Sequence, residues 1–275
     1  MEDSGTWRSV GTDPDPIVRD RVLLRDVRLG EFNVVSHALN LLPALRGPYS
    51  RDVDISLRDE GPVALITWND GENRVNLDSL ARLNELFDEI EGRSGPLAVV
   101  LTGSGKFFSN GLDLDRFLSN AEEMGRTFTE LKRTVGRMFV LPAYTVAAVN
   151  GHAFAAGAAI SLGLDYRVMR EDRGYWCMNE VEIGLPLDEE LFSILRHRLP
   201  FATATHAALT AERYGGPAAV AAGIVEETAS EEDVLVQALA IAERYATLDR
   251  KVLAKHKVFA HGAEASHLGA TVRGL

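Results

Sequence analysis

Cysteine is all but missing from this chain of 275 residues, in which Cys177 is the only one. A single thiol excludes an internal disulfide and a cysteine-based zinc cluster, so a reducing, cytoplasmic compartment is expected. Positive charge is the second shortage: 29 Lys and Arg face 40 Asp and Glu, for a formal charge of −11. That balance argues against nonspecific binding to nucleic acid or to an anionic membrane surface. Long apolar runs are absent as well, since nothing approaches the ~18 residues of a membrane span. Met1-Glu-Asp-Ser-Gly-Thr-Trp7 shows no basic-then-apolar secretory pattern, and Arg273-Gly-Leu275 is not the peroxisomal Ser-Lys-Leu address.

What is present is ordinary globular material, with 46% hydrophobic and 25% charged residues, enough for one large domain or for a domain with an appended segment. Residues 1–50 differ from the rest. They carry Asp13-Pro-Asp-Pro16, a charged stretch and Pro43 within an otherwise helical run, and are expected to form an appended arm. From Val53 the pattern is regular. Alternation at 53–57, a turn near Gly61 and a second run at 63–68 predict a hairpin. A helix starts near Asn76, with Leu77, Leu80, Leu83, Phe87 and Ile90 on one face. Apolar runs at 97–101 and 145–149 suit parallel strands covered on both faces. Strands are also expected at 166–169, 174–178 and 224–227, and helices at 188–197, 203–210, 217–222, 231–248 and 251–260. No repeat or low-complexity tract interrupts them. The class is α/β with a helical C-terminal third.

Residues 149–165 contain the most unusual stretch. An apolar strand ends at Asn150-Gly151, and the segment from Ala153 to Leu164 is uncharged and mostly Ala and Gly. Such a helix packs tightly on all sides, and a start at Ala155-Ala156-Gly157 leaves backbone N–H groups where an anionic oxygen can be held. Other motifs fail on inspection. Gly103-Ser-Gly-Lys106 is followed by Phe107, so it is not a P-loop, and it lacks the third glycine of a dinucleotide fingerprint. Ser193 and His197 share a helical face, but no nucleophile elbow surrounds the serine. Asp113 and Asp115 have no third carboxylate or histidine near them in sequence, so they read as a helix start and no metal is expected.

Two glycine-bearing loops remain, each leading from a buried strand into a helix. Through Leu101-Thr-Gly-Ser-Gly-Lys-Phe-Phe-Ser-Asn-Gly-Leu-Asp113, Ala147-Ala-Val-Asn-Gly-His-Ala153, Leu164-Asp-Tyr-Arg-Val168 and Asn179-Glu-Val-Glu-Ile-Gly-Leu185, the chain resembles the crotonase (enoyl-CoA hydratase/isomerase) superfamily. The resemblance runs from about residue 53 into the C-terminal helices. It implies a ββα spiral core over 51–200 and a helical region over 201–275 that mediates trimers or dimers of trimers. Acyl-coenzyme A is then the substrate and no cofactor is needed. It further implies an oxyanion hole built from the backbone N–H groups of Leu112 and Ala156, with Ala155 and Gly157 small enough to let the thioester approach. Asn110, Leu112, Asp113 and Leu114 fall where family members line the adenine and pantetheine. Lys251, Lys255 and Lys257 on one late helix are candidates for the coenzyme A phosphates.

The reaction is chosen by carboxylates. The first of the two glutamates used by hydratases falls at Ala159, which cannot orient water. The second falls at Glu180, and Met178-Asn-Glu-Val-Glu-Ile-Gly184 looks like the segment carrying the single catalytic glutamate of Δ3,Δ2-enoyl-CoA isomerases. If that segment is extended, Glu182 shares a side with Glu180, and only the resemblance prefers Glu180. The expectation is therefore an isomerase. The alternatives are a hydratase-like enzyme using one glutamate and a noncatalytic acyl-CoA-binding protein of the same fold. His152, Phe154 and Ala159 depart from the hydratase pattern, as does Pro186-Leu-Asp-Glu-Glu190.

Overall fold

The computed structural model describes residues 53–272 with the exception of Ser119; the expected arm at 1–50 lies outside the described residues. Strands β1 (Ile55–Glu60) and β2 (Val63–Trp68) form the expected antiparallel hairpin. Gly61 at φ +60° supplies the left-handed turn conformation that other residues adopt only with strain. Beyond it, β3 (Ala98–Gly103), β5 (Tyr144–Val149), β7 (Tyr166–Arg170) and β9 (Glu227–Ala229) add in parallel, giving a six-stranded sheet of order β1-β2-β3-β5-β7-β9.

Both faces of this sheet are buried, which accounts for the continuously apolar strands. Ile66, Trp68, Val99, Leu101, Ala147 and Val149 point to one side, in a core with Leu80, Leu83, Phe87 and Ile90 of helix α1 (Leu77–Gly92). Val63, Leu65, Ala98, Val100, Val146, Ala148 and Val168 point to the other, against Val234, Ala238, Ala242 and Ala246. These four lie at steps of four along α9 (Val234–Ala246), and their small side chains let the helix lie close to the sheet. The C-terminal third thus contributes both an edge strand and a covering helix to the central layer.

A second, three-stranded parallel sheet consists of β4 (Phe107–Ser109), β6 (His152–Phe154) and β8 (Trp176–Cys177). Helices α2 (Leu114–Leu118) and α3 (Ala121–Phe139) follow β4, α4 (Ala156–Leu162) follows β6, and the short turn of helix α5 (Glu180–Ile183) follows β8. The chain then runs through α6 (Glu189–Arg198), α7 (Phe201–Thr210) and α8 (Gly216–Ala221) before β9, and ends in α10 (Arg250–His267). Among the described residues no helix is long and apolar enough to cross a membrane.

Several local expectations shift. The strand expected at 224–227 forms at Glu227–Ala229, and the one expected at 174–178 is confined to Trp176–Cys177. The helix expected at 251–260 runs on to His267. Residues 152–154 are strand, so the small-residue helix starts only at Ala156. The three-lysine patch does not form. Lys257 is buried and its ammonium donates to Asp165 at 2.7 Å and to the Ala143 carbonyl at 3.2 Å, while Asp165 also accepts from the Thr145 N–H and hydroxyl. Lys257 therefore ties the C-terminal helix to the start of β5, and only Lys251 and Lys255 remain exposed. Ser193 does not meet His197 either: its hydroxyl donates to the Glu190 carbonyl at 2.7 Å, and His197 Nε2 lies 2.9 Å from His261 Nδ1.

Candidate active site

The small sheet is what assembles the site. Its three strands run parallel in the register Ser109↔Ala153 and Ala153↔Trp176, with Phe154↔Cys177, so their C-terminal ends lie side by side. Just beyond those ends come Leu112, Ala156 and Glu180, which are 68 residues of sequence apart at most but are delivered to one edge by pairing. Ligands of parallel sheets characteristically bind at such carboxyl ends.

The first loop is fixed from below by a buried asparagine. Asn73, fully buried at φ +54°, donates its amide to the carbonyls of Phe107 (3.0 Å) and Phe108 (3.2 Å), and its own carbonyl accepts the Ser109 hydroxyl at 2.6 Å. Val75 then runs alongside Leu112: its N–H donates to Gly111 O at 2.7 Å and its carbonyl accepts the Asp113 N–H at 3.0 Å. In that parallel bridge the intervening Leu112 N–H faces the other way. Among the described residues it meets no protein acceptor, whereas the Asn110 N–H goes to Glu72 O and the Leu114 N–H to Leu112 O, both at 3.0 Å.

Two glycines bring the loops into contact. A Cβ on Gly111 would stand 2.8 Å from Phe154 O and 3.1 Å from the Ala155 Cβ, and one on Gly157 would stand 2.5 Å from Ser109 O. The backbone after β4 is thus pressed against the backbone after β6. Ala155 occupies φ +49°, ψ −116°, a conformation that costs a non-glycine residue roughly 1–3 kcal/mol. It is held there by its N–H, which donates to Cys177 O at 2.9 Å. The N–H groups of Ala156 and Gly157 open α4, where no intrahelical acceptor exists, and no side chain caps them.

Glu180 completes the edge. It is 7% exposed, its Oε2 is buried without a hydrogen-bond partner, and burial pushes its carboxyl up to about 7. Residues 180–183 are a helical turn, and Glu182 differs from Glu180 in its neighbour: the residue is partly exposed, and its Oε2, also buried without a hydrogen-bond partner, lies 3.7 Å from the Arg213 guanidinium. Ala159 is 1% exposed within the apolar core. No second carboxylate stands there.

The family model for enoyl-CoA hydratase/isomerase matches residues 58–272. The chain belongs to that family. Over 202 residues it is 34% identical to enoyl-CoA delta isomerase 2, peroxisomal, of Arabidopsis thaliana, covering 70% of this chain and 84% of that protein. It is 34% identical over 136 residues to short-chain-enoyl-CoA hydratase of Clostridium acetobutylicum, covering 48% of this chain and 51% of that protein. A solved apo structure of an enoyl-CoA isomerase of Mycobacterium tuberculosis superposes with a TM-score of 0.74 at 25% identity, covering 80% of this chain and 96% of that one. The protein is accordingly a crotonase-fold enzyme of the enoyl-CoA isomerase/hydratase class, most like the isomerases.

In this crotonase-fold enzyme the expected residues fall into two groups. Leu112, Ala155, Ala156, Gly157 and Glu180 converge on the edge of the small sheet. Asn110 and Asp113 face the loop that carries Asn73: the Asn110 amide donates to Glu72 at 2.9 Å, and the Asp113 carboxylate accepts from Asn76 at 3.2 Å. Asp115 pairs with Arg74 at 2.5 Å. Among the described residues no cluster of three or more His, Cys, Asp or Glu is placed to hold a metal. Asn73 and Ser109 carry little signal in the sequence beyond an asparagine after Gly71-Glu72 in a loop, a residue that tolerates left-handed backbone. His152 lies among the rings of Phe107, Phe154 and Tyr175, with centroids 5.5, 4.9 and 5.7 Å away.

The raised carboxyl has a thermodynamic consequence. Glu180 shifts from the ordinary 4.5 to about 7 in the folded state, so the folded state keeps a proton that the unfolded state loses. Its contribution to stability is full below pH 4.5 and is lost as pH rises through 7. Glu180→Gln, which cannot ionise, is expected to be more stable than the natural protein by up to about 3 kcal/mol at pH 8 and nearly equal to it at pH 4.5. Thermal unfolding of both proteins across that range checks this; a Tm difference independent of pH would contradict it.

Proposed function

We propose that this enzyme shifts a double bond in an acyl-coenzyme A thioester, converting 3-enoyl-CoA to 2-enoyl-CoA. Glu180 as carboxylate takes a proton from C2. The released electron pair spreads over C2 to C4 and onto the thioester oxygen, giving a dienolate whose negative oxygen is held by the N–H groups of Leu112 and Ala156. Glu180, now protonated, returns the proton to C4, leaving the double bond between C2 and C3. Donors fixed before reaction need no reorganisation as charge develops. The thioester and pantetheine are read as lying along Asn110, Leu112, Asp113 and Leu114, with Ala155 and Gly157 leaving room for the carbonyl. No cofactor is required, because the chemistry is proton transfer alone.

The observation that carries this reading is the buried carboxylate: Glu180 has its Oε2 buried and unpartnered, and the position to which the resemblance assigns a second carboxylate is Ala159. A base near neutrality suits proton abstraction at physiological pH. Hydration by the two-glutamate arrangement has no second group to orient water. The test is an acyl-CoA panel assayed for both reactions: 3-enoyl-CoA is expected to be isomerised, and 2-enoyl-CoA to be hydrated far more slowly. Rapid hydration without isomerisation would reverse the assignment. We also propose a homotrimer or a dimer of trimers, supported by exposed Val236, Val252 and Phe259 on α9 and α10, and a cytoplasmic setting, supported by the single free thiol.

A further inference from the structure

Asn179, immediately before Glu180, is at odds with its surroundings. It is 8% exposed, and its Oδ1 is buried with no hydrogen-bond partner. Among the described residues every other asparagine uses its amide: Asn69, Asn73, Asn76, Asn84, Asn110, Asn120 and Asn150 each make at least one side-chain hydrogen bond. Asn179 also occupies the N-cap of α5, where an asparagine side chain normally accepts from the first-turn N–H groups, yet it makes no such bond. The cap is satisfied by its backbone carbonyl instead, which accepts the Glu182 N–H at 3.1 Å and the Ile183 N–H at 3.4 Å.

A buried amide oxygen left without a partner is a standing cost, and proteins retain such groups where something else satisfies them. The next residue presents the same feature, since Glu180 Oε2 is also buried and unpartnered. Both atoms are oxygens on consecutive residues beyond the end of β8: Asn179 Oδ1 only accepts, whereas Glu180 Oε2 accepts as carboxylate and donates once protonated, so a small group that both donates and accepts suits the pair when Glu180 holds its proton. The thioester chain around C2 to C4 is hydrocarbon and offers neither function. A hydroxyl offers both, and a site with several polar partners can hold one that an apolar cavity would reject.

We propose that Asn179 is a ligand-binding residue whose carboxamide, together with Glu180, seats one hydroxyl group beside the base. The hydroxyl belongs either to a bound water, which lets the proton on Glu180 exchange with solvent between abstraction and delivery, or to an acyl chain hydroxylated next to the reacting carbons. This rests on Glu180 being the base, and the test separates the two claims. Asn179→Leu, close in size but apolar, and Asn179→Ala are compared with the natural protein in two assays.

In the first assay, 3-enoyl-CoA is isomerised in D2O and the deuterium at C4 of the product is measured; bound water predicts at least a threefold fall in label for both variants. In the second, kcat/KM is compared for 3-enoyl-CoA with and without a hydroxyl at C5; a substrate hydroxyl predicts that the preference for the hydroxylated chain falls about tenfold. Either change supports the proposal. Because the amide oxygen has no protein partner, Asn179→Leu is expected to raise the Tm. Unchanged labelling together with unchanged selectivity would overturn the proposal, as would failure of both variants to fold, which would make Asn179 structural. Absence of isomerisation in the natural protein would remove the base assignment instead.

Discussion

Glu180→Gln is expected to lower the isomerisation kcat on the order of 10³-fold while leaving coenzyme A affinity within about twofold. The magnitude follows from what a positioned acid–base group supplies, typically 10²–10⁴ in rate, with no second carboxylate at Ala159 to substitute for it. Glutamine fills the same volume, accepts no proton at C2 and carries none to C4, so the loss falls on kcat rather than on binding. The variant should also fold, since removing the buried charge removes the penalty that pushes the carboxyl up to about 7. Steady-state kinetics with 3-enoyl-CoA, alongside direct titration with coenzyme A, checks both halves. Unimpaired turnover would transfer the role of base elsewhere, with Glu182 beside Arg213 the first residue to examine.

Gly111→Ala is expected to lower kcat by roughly 10²–10³, the usual effect of losing one donor from a preorganised oxyanion site. The added methyl meets two obstacles: a backbone at φ +82°, and the Phe154 carbonyl only 2.8 Å away. Neither obstacle is a flexible side chain, so the loop after β4 must move away from the loop after β6. That movement displaces the Leu112 N–H relative to the Ala156 N–H. Strain of this kind costs roughly 1–3 kcal/mol, and a modest drop in Tm should accompany the kinetic defect. Leu112→Ala serves as the contrast, because it alters a side chain and leaves the N–H in place. A Gly111→Ala enzyme with natural kcat would argue against the Leu112 donor.

The sequence made the large sheet and the reaction centre legible for different reasons. Runs such as 97–101 and 145–149 are apolar throughout because helices cover both faces of their strands, and that pattern survives without knowledge of tertiary structure. The small sheet was not legible. β6 and β8 are three and two residues long, too short for any period to register, and their pairing depends on contacts across 23 or more positions. The left-handed Ala155 was hidden for a related reason: its backbone is set by the Cys177 carbonyl rather than by its own identity. Glu180 and Glu182 were indistinguishable by spacing. The helical turn at 180–183 separates them, burying one and leaving the other beside an arginine. Lys257 misled because a lysine on a helix face usually meets solvent, and only the fold shows Asp165 waiting for it.

The central claim, that one buried carboxylate carries the proton, is tested most directly by the pH dependence of kcat/KM for 3-enoyl-CoA isomerisation. A single ionisation is predicted, with kcat/KM rising about tenfold per pH unit below the Glu180 value of about 7 and level above it. An inflection at the ordinary glutamate value of 4.5, or a bell-shaped profile from two interacting groups, would contradict it.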